Sequence, residues 1–244
     1  MANTPAQVFE EECQTEIAAQ GQDENLGRLS REFFNETAKH KYSYHFSWMG
    51  RPVIQYPQDM MAMQEIIWAL RPDVIVETGI AHGGSILFYA SMFELIGHGE
   101  VIGIDIDIRA HNRDAIEAHP MSHRVSMIQG SSIDAAIVEQ VRERVAGKTV
   151  LVVLDSNHTH EHVLEELRLY APMVSVGGYC VVMDTVVEDM PPDAFPDRPW
   201  GKGDNPKTAV WAYLKENQDF EIDVAVQNKL LITVAPDGYL RRVR

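Results

Sequence analysis

The chain has 244 residues, 45% of them hydrophobic, which is enough for one α/β domain with a full core. Its net charge is −15, from 36 acidic and 21 basic residues. Because such a surface repels nucleic-acid phosphates and anionic lipids, we expect neither nucleic acid nor a membrane among its partners.

The N-terminal sequence and the cysteines favour a cytoplasmic location. The first residues, MANTPAQVFEEECQTE, contain neither the basic nor the apolar stretch of a signal peptide. No apolar run approaches the roughly 20 residues that a membrane helix needs. Cys13 and Cys180 indicate no disulfide framework, which fits a reducing compartment.

Residues 1–70 are expected to form an N-terminal helical arm and a loop on the substrate side. Residues 1–40 are polar and compatible with an arm or a pair of helices. Residues 42–58 are rich in aromatic side chains and contain prolines, which favours a loop. Residues 59–70 show helical spacing, with Asp59 as the expected N-cap.

Residues 71–244 have the pattern of a catalytic α/β domain. Short apolar runs, typical of buried strands, occur at 74–76, 101–104, 125–128, 150–154 and 179–183. Amphipathic segments, typical of helices, lie between them at 84–96, 112–119, 132–145 and 160–171. This alternation predicts a parallel sheet with helices on both faces.

The C-terminal part departs from that alternation. Residues 220–224 and 230–234 are strand-like and too close together for a crossover helix, so we expect an antiparallel hairpin. A mostly parallel, seven-stranded sheet closed by such a hairpin is the Rossmann-like fold of class I methyltransferases. It is not the pattern of a dinucleotide-binding dehydrogenase.

A glycine-rich loop after the first of these parallel strands predicts a site for S-adenosylmethionine. The sequence ETGIAHGGS has Gly79 and Gly83 in G-x-x-x-G spacing, not the G-x-G-x-x-G of a pyrophosphate site. Glu77, two residues before the first glycine, suits a ligand with an ammonium and a sulfonium group. The start of the following helix, near Ser85, suits the carboxylate of that ligand. A glycine turn needed only for packing is the alternative. The predicted donor contacts are Glu77, Gly79, Ala81, His82, Gly83 and Ser85.

Polar residues after the next two strands complete the predicted donor site. Asp105 ends the second strand, where a carboxylate can accept hydrogen bonds from both ribose hydroxyls, with Asp107 as the competitor. Ser132 and Asp134 follow the third strand, beside the expected adenine. Ser132 alternatively caps the next helix.

Asp155 and Asp184 predict a metal site. They end the fourth and fifth strands, which should be neighbours, and two carboxylates brought together need a cation or a proton between them. Mg²⁺ takes oxygen ligands, and Thr185 is a candidate third ligand. A hydroxyl bound to such an ion becomes a better nucleophile, which makes Asp155 catalytic as well as metal-binding.

His158 is the predicted general base, since it follows Asp155 by three residues and a neutral imidazole can take a hydroxyl proton. A zinc site of Asp155, His158 and His162 is an alternative, because the two histidines are one helical turn apart. A surface position on the helix is the other reading.

Residues 186–205 predict a lid over the acceptor, because long irregular connections in compact domains are usually functional. Trp200 and Arg198 are its candidate substrate contacts, and His45 and Tyr56 are candidates for the opposite wall. A structural or oligomer-contact loop is the alternative.

From Trp48 onwards the chain resembles the cephalosporin hydroxylase family. The resemblance rests on SWMGRPVIQYPQDM, VIVETGIAHGGS, VIGIDIDIR, GSSID, LDSNHTHEHV and RPWGKGDNPKTA. It implies Mg²⁺- and S-adenosylmethionine-dependent O-methylation, and it favours a homo-oligomer. Asp155, His158 and Asp184 match the family's ligand and base positions, whereas Met183 and Thr185 stand where relatives have a further acid or amide.

The leading hypothesis is therefore an O-methyltransferase for a hydroxyl of a sugar or natural product. A hydroxylase, or a component of one, is the second hypothesis, although no set of two histidines and one carboxylate is apparent for iron. A non-catalytic subunit that keeps the donor fold is the third.

Overall fold

Two helices form the N-terminal arm, as the sequence predicts. In the computed structural model, which describes residues 3–244, α1 spans Pro5–Gln22 and α2 spans Glu24–Ala38. Thr4 and Asp23 begin these helices as N-caps, because their side chains accept hydrogen bonds from backbone N–H groups of the first turn. The predicted arm also includes residues 1 and 2, which lie outside the described residues.

The predicted loop after the arm is a short hairpin. A 3₁₀ turn, Tyr42–His45, leads into β1 (Phe46–Trp48) and β2 (Arg51–Val53), which pair antiparallel. The two connecting residues, Met49 and Gly50, both have positive φ, at 46° and 84°. A two-residue turn of this kind matches the twist of the paired strands.

The helix α3, Pro57–Leu70, begins earlier than predicted. Tyr56 is its N-cap position and Pro57 its first residue, so the prediction that Asp59 is the N-cap is wrong. Because proline has a fixed φ and no N–H, it is well suited to the first helical position. Asp59 lies inside the first turn and is buried.

A seven-stranded sheet forms the centre of the molecule. Its strands are β3 (Val74–Thr78), β4 (Glu100–Asp105), β5 (Val125–Gln129), β6 (Val150–Leu154), β7 (Tyr179–Val182), β8 (Phe220–Ile222) and β9 (Tyr239–Arg242). Their order is β5-β4-β3-β6-β7-β9-β8. The first five are parallel, and β9 runs antiparallel to both β7 and β8. The predicted fold class is confirmed.

Helices cover both faces of the sheet. They are α4 (Gly84–Ile96), α5 (Ala110–Glu117), α6 (Ala135–Val145), α7 (His160–Tyr170), α8 (Pro206–Glu216) and α9 (Val224–Leu230). Alternate residues of a strand enter opposite cores, so Ile75 packs in the core with α3 and α4, and Val76 in the core with α6, α7 and α8. No helix within residues 3–244 has the length and apolarity to cross a membrane.

The prediction that residues 230–234 form the second strand of the C-terminal hairpin is wrong. Residues 224–230 form α9, capped by Asp223, which accepts a hydrogen bond from the Ala225 N–H. The chain then turns and forms β9, so the antiparallel pair consists of β8 and β9. Local hydrophobicity at 230–234 does not predict this, because the turn is stabilised by a residue from α3.

That residue is Asp59, whose carboxylate is buried beneath the C-terminal turn. It accepts hydrogen bonds from the Thr233 hydroxyl, from the Val234 N–H at 3.0 Å and from the Tyr239 hydroxyl at 2.8 Å. Burial raises the pKa of Asp59 to about 6, although the three donors oppose that rise. The carboxylate thus connects α3 to the turn between α9 and β9.

We predict that Asp59→Ala lowers the free energy of unfolding by about 3 kcal/mol at pH 5, because it leaves three buried donors without an acceptor. The pKa of Asp59 is higher in the folded state, so its stabilising contribution falls as pH rises through about 4 to 6. Urea denaturation should therefore show a larger cost at pH 5 than at pH 8. Exposed Asp114 on α5 supplies the control, Asp114→Ala, and equal costs for both variants would contradict the prediction.

Candidate active site

Three titratable side chains meet at the carboxyl edge of the sheet. Asp155 follows β6, Asp184 follows β7, and His158 lies just before α7. One ligand atom from each of the three lies within 4.8 Å of the others. The Nε2 atom of His158 is 3.1 Å from Oδ2 of Asp184. Adjacent strands β6 and β7 produce this convergence, because their ends stop side by side.

Burial and charge both act on Asp155. Burial raises the pKa of its carboxyl well above the usual value, and the negative charges of Asp184 and then Glu77 raise it further. A bound cation would remove this penalty, and two carboxylates offer the oxygen ligands that Mg²⁺ prefers. The residues present therefore fit Mg²⁺.

The residues beside Asp184 have other roles. Asp184 itself adopts a left-handed conformation, with a φ of 54°. Thr185 is buried and donates its hydroxyl hydrogen bond to the Pro236 carbonyl at 2.6 Å, which fixes the turn, and its role as a metal ligand stays a prediction. Met183 packs in the hydrophobic core.

The other histidines of the motif are directed away from the cluster. His162 Nε2 lies 3.1 Å from the Ser132 hydroxyl and 3.4 Å from the buried Glu166 carboxylate. His160 Nδ1 lies 2.8 Å from the Thr208 hydroxyl of α8. The metal-capable group found among residues 3–244 has one histidine and two carboxylates. That set matches neither the zinc alternative nor an iron site of two histidines and one carboxylate.

Trp200 from the connection after β7 packs against the cluster. Its ring meets the His158 imidazole edge-on, with centroids 4.9 Å apart, and the Arg198 guanidinium lies 5.2 Å from the Trp200 centroid. The predicted lid residues are thus beside the predicted base. Glu188 stabilises this connection by accepting a hydrogen bond from the Gly203 N–H at 2.7 Å.

Two cavities meet at the glycine loop. The larger, about 480 Å³, extends over β4 and β5 and is lined by Asp105, Ser132 and Trp200. The smaller, about 200 Å³, lies between the hairpin and the start of α4 and includes His158 and Asp184. The residues common to both are Gly79, Ala81, Asp155 and Ser156. An elongated ligand can therefore extend from β4, past the glycine loop, to the acidic cluster.

Asp105 supports the glycine loop as well as lining the larger cavity. Its Oδ2 accepts hydrogen bonds from the N–H groups of Ile80 at 2.8 Å and Ala81 at 3.2 Å. The competitor Asp107 instead lies beside Arg109, 3.9 Å away. A carboxylate has further acceptor positions, so Asp105 can serve both the loop and a ribose.

The remaining predicted donor contacts differ in their access to the cavities. Glu77 is buried and accepts from the Ser85 hydroxyl at 2.8 Å, and burial raises its pKa to about 8. His82 and Ser85 line the smaller cavity. Gly83 is the N-cap of α4, with a φ of 84°. Asp134 is the N-cap of α6 and belongs to neither cavity lining.

The predicted opposite wall is made by other residues. Tyr56 is only 2% exposed and stacks on Phe34, with centroids 4.9 Å apart, because the hairpin turns it into the core. His45 is exposed, but its neighbour Tyr44 is the residue of this 3₁₀ turn that lines the smaller cavity. Gln55 also lines that cavity. Sequence reasoning missed both residues, since the hairpin geometry decides which side chains face the cleft.

Comparison with known proteins identifies the family. The family described as Rhamnosyl O-methyltransferase/CmcI matches residues 40–243. The chain belongs to this family. It is 33% identical to a Rhamnosyl O-methyltransferase of Mycobacterium bovis (strain BCG / Pasteur 1173P2) over 204 residues, which is 80% of this chain and 78% of the relative. A Rhamnosyl O-methyltransferase of Mycobacterium leprae (strain TN) is 34% identical over 200 residues, covering 80% and 82% of the two chains.

Solved structures share the fold of the Rhamnosyl O-methyltransferase/CmcI family. CmcI with Mg and S-adenosylmethionine has a TM-score of 0.58 at 21% identity, covering 82% of this chain and 78% of its own. An O-methyltransferase from Bacillus cereus, in complex with S-adenosylhomocysteine, has a TM-score of 0.52 at 13% identity, with 82% of both chains covered. The family and methyltransferase class predicted from the sequence are confirmed.

The close approach of Gly79 to β6 predicts a sensitive position. A Cβ atom at Gly79 would lie 1.9 Å from the Asp155 carbonyl oxygen, and φ is +91°. We predict that Gly79→Ala costs about 2–4 kcal/mol of stability and weakens S-adenosylhomocysteine binding, because Asp155 must move.

Gly97 is the matched control, since its φ is also +91° but a Cβ there meets nothing within 4 Å. Gly97→Ala should cost about 1 kcal/mol, from backbone strain alone, and leave binding intact. Thermal denaturation and calorimetry measure both effects. Equal behaviour of the two variants would show that the approach to Asp155 is unimportant.

Proposed function

We propose that this protein is an S-adenosylmethionine- and Mg²⁺-dependent O-methyltransferase that acts on a hydroxyl group of a sugar. The observation that carries this is the position of Asp155, His158 and Asp184 at the junction of two cavities on a methyltransferase fold. Relatives are named for rhamnosyl O-methylation, so a rhamnosyl unit is the first acceptor to test.

The donor is proposed to lie along the glycine loop. Asp105 accepts from the ribose hydroxyls, and Ser132 lines the cavity beside the adenine. The methionine end then enters the smaller cavity near Ser85, which places the sulfonium close to Gly79 and the acidic cluster. The carboxylates of the cluster favour a positively charged sulfur by their charge.

The chemistry follows from this arrangement. Mg²⁺ held by Asp155 and Asp184 would lower the pKa of an acceptor hydroxyl. The neutral His158 imidazole, which lies beside Asp184, accepts the proton of that hydroxyl. The S–CH₃ bond of the donor breaks as the O–CH₃ bond forms, and sulfur retains the electron pair as S-adenosylhomocysteine.

Aromatic side chains are proposed to bind the acceptor. Trp200 packs on His158, and Tyr44, 55% exposed, lines the smaller cavity together with His158. The C–H faces of a sugar ring pack well on such rings, and Arg198 beside Trp200 can donate to its hydroxyl groups.

A homo-oligomer in the cytoplasm is proposed as the working state. None of the residues of α1 is buried, and Phe9 on this helix is 67% exposed. The helix packs on α9, where Gln20 donates to the Asn228 carbonyl at 2.7 Å, but the apolar side chains of Val8 and Phe9 stay exposed, and a second copy packing on the arm would bury them. Residues 1–70 would then supply the arm and one wall of the acceptor site, and residues 71–244 the donor and metal sites.

Substitution should separate the metal site from the donor site. We predict that Asp155→Asn lowers Mg²⁺-dependent turnover by at least about 100-fold, because an amide cannot replace the negative charge on the cation. Asp105→Asn should instead weaken S-adenosylhomocysteine binding by about 10-fold and leave the Mg²⁺ requirement intact.

Calorimetry with S-adenosylhomocysteine and a methyl-transfer assay with rhamnosyl acceptors test this pair of variants. Full activity of Asp155→Asn would contradict the metal assignment. Turnover that survives removal of divalent cations would contradict the proposed cofactor.

Substitution of the base should affect chemistry alone. We predict that His158→Ala lowers kcat by about 10²- to 10⁴-fold without changing the affinity for S-adenosylhomocysteine. His160→Ala is the control, because the His160 ring is bonded to Thr208 outside the cleft. Wild-type kcat in His158→Ala would eliminate His158 as the base.

A further inference from the structure

A group of buried side chains beside the smaller cavity has unused hydrogen-bonding atoms. Gln55 is only 2% exposed, and within residues 3–244 neither its amide oxygen nor its amide nitrogen has a partner. Oε1 of Glu77 and the hydroxyl of Tyr89 are likewise buried without a well-formed hydrogen bond in the described chain. Four polar atoms are thus unsatisfied in one place.

Such a concentration of unpaired atoms beside a cavity favours a binding site for a polar group. Buried polar groups are almost always paired in native proteins, because an unpaired group has lost its hydrogen bonds to water. The Tyr89 hydroxyl faces both Gln55 and Glu77, and burial raises its pKa well above the usual value. The three side chains are therefore neighbours, and Gln55 is the one among them that lines the smaller cavity.

The position of Gln55 defines which ligand group it can reach. The hairpin packs directly on the start of α4, since a Cβ at Gly84 would lie 2.2 Å from the Pro52 carbonyl oxygen. Gln55, Gly84 and Ser85 consequently line the same cavity. Asp105 lines the other cavity, at the opposite end of the cleft.

We propose that Gln55 binds the α-amino and α-carboxylate groups of the donor's methionine moiety, with Tyr89 and Glu77 as positioning residues behind it. The inference rests on the proposed function, because it requires a donor with an amino acid end. A carboxamide suits a zwitterion, since its oxygen accepts from the ammonium and its N–H₂ group donates to the carboxylate.

Two nucleosides distinguish this contact from a general effect on the cleft. S-adenosylhomocysteine has the amino acid end, and 5′-methylthioadenosine lacks it while keeping the adenosine and the sulfur. Gln55→Leu should weaken S-adenosylhomocysteine by about 10- to 100-fold in calorimetry and change methylthioadenosine binding less than about twofold.

Gln58→Leu is the matched control, because Gln58 is a half-buried glutamine of α3 outside both cavity linings. It should leave the ratio of the two affinities unchanged. Gln55→Glu preserves the size of the side chain and adds a charge that repels the carboxylate. It should therefore reduce the affinity for S-adenosylhomocysteine relative to that for methylthioadenosine. Tyr89→Phe should reduce it by a smaller factor, because Tyr89 acts through Gln55 and Glu77.

Equal losses for both nucleosides in Gln55→Leu and Gln55→Glu would overturn the proposal and show damage to the whole cleft. Unchanged S-adenosylhomocysteine binding with a raised KM for the acceptor would also overturn it and assign Gln55 to the acceptor. Wild-type protein that binds neither nucleoside would refute the proposed function itself. Binding of both by the wild type, with no selective loss in the variants, refutes only the assignment of Gln55.

Discussion

The repulsion between two carboxylates at the ends of β6 and β7 is the constraint on which the site depends. Asp155 is half-buried, and its pKa is raised by desolvation and by Asp184. Asp184 is kept in a left-handed conformation, with His158 Nε2 at 3.1 Å. Two carboxylates held this close together cost free energy when nothing neutralises them, because desolvation and mutual repulsion both disfavour negative charge. A bound cation would remove this cost.

The surroundings of this pair are rigid for an identifiable reason. Two hydrogen bonds join the turn before β9 to the 3₁₀ turn Thr185–Asp189, which follows Asp184. Thr185 donates to the Pro236 carbonyl, and the Val186 N–H donates to the Val234 carbonyl at 3.1 Å. Asp59 holds the same turn from α3. The position of Asp184 therefore depends on two distant segments of chain, the turn before β9 and α3, through hydrogen bonds.

The donor cleft combines support with recognition in the same residues. Asp105 holds the glycine loop through two N–H groups and still faces the larger cavity. Gly79 permits the loop to touch β6, so the donor cleft and Asp155 share a wall. A donor positioned by the loop is consequently positioned relative to the acidic cluster. Proximity of this kind is a large part of what an enzyme contributes to a transfer reaction.

The sequence by itself determined the parallel core, the glycine loop and the strand-end acids, because strand ends in such sheets converge whatever the detailed packing. It predicted α3 and the N-terminal helices, and it identified Asp155, His158 and Asp184, which the structure brings together. Only the tertiary structure decided the hairpin at β1 and β2, the strand β9, and that Tyr44 and Gln55, and not Tyr56, line the smaller cavity. These features depend on contacts between remote segments, such as Asp59 with Thr233, which no local pattern of hydrophobicity records.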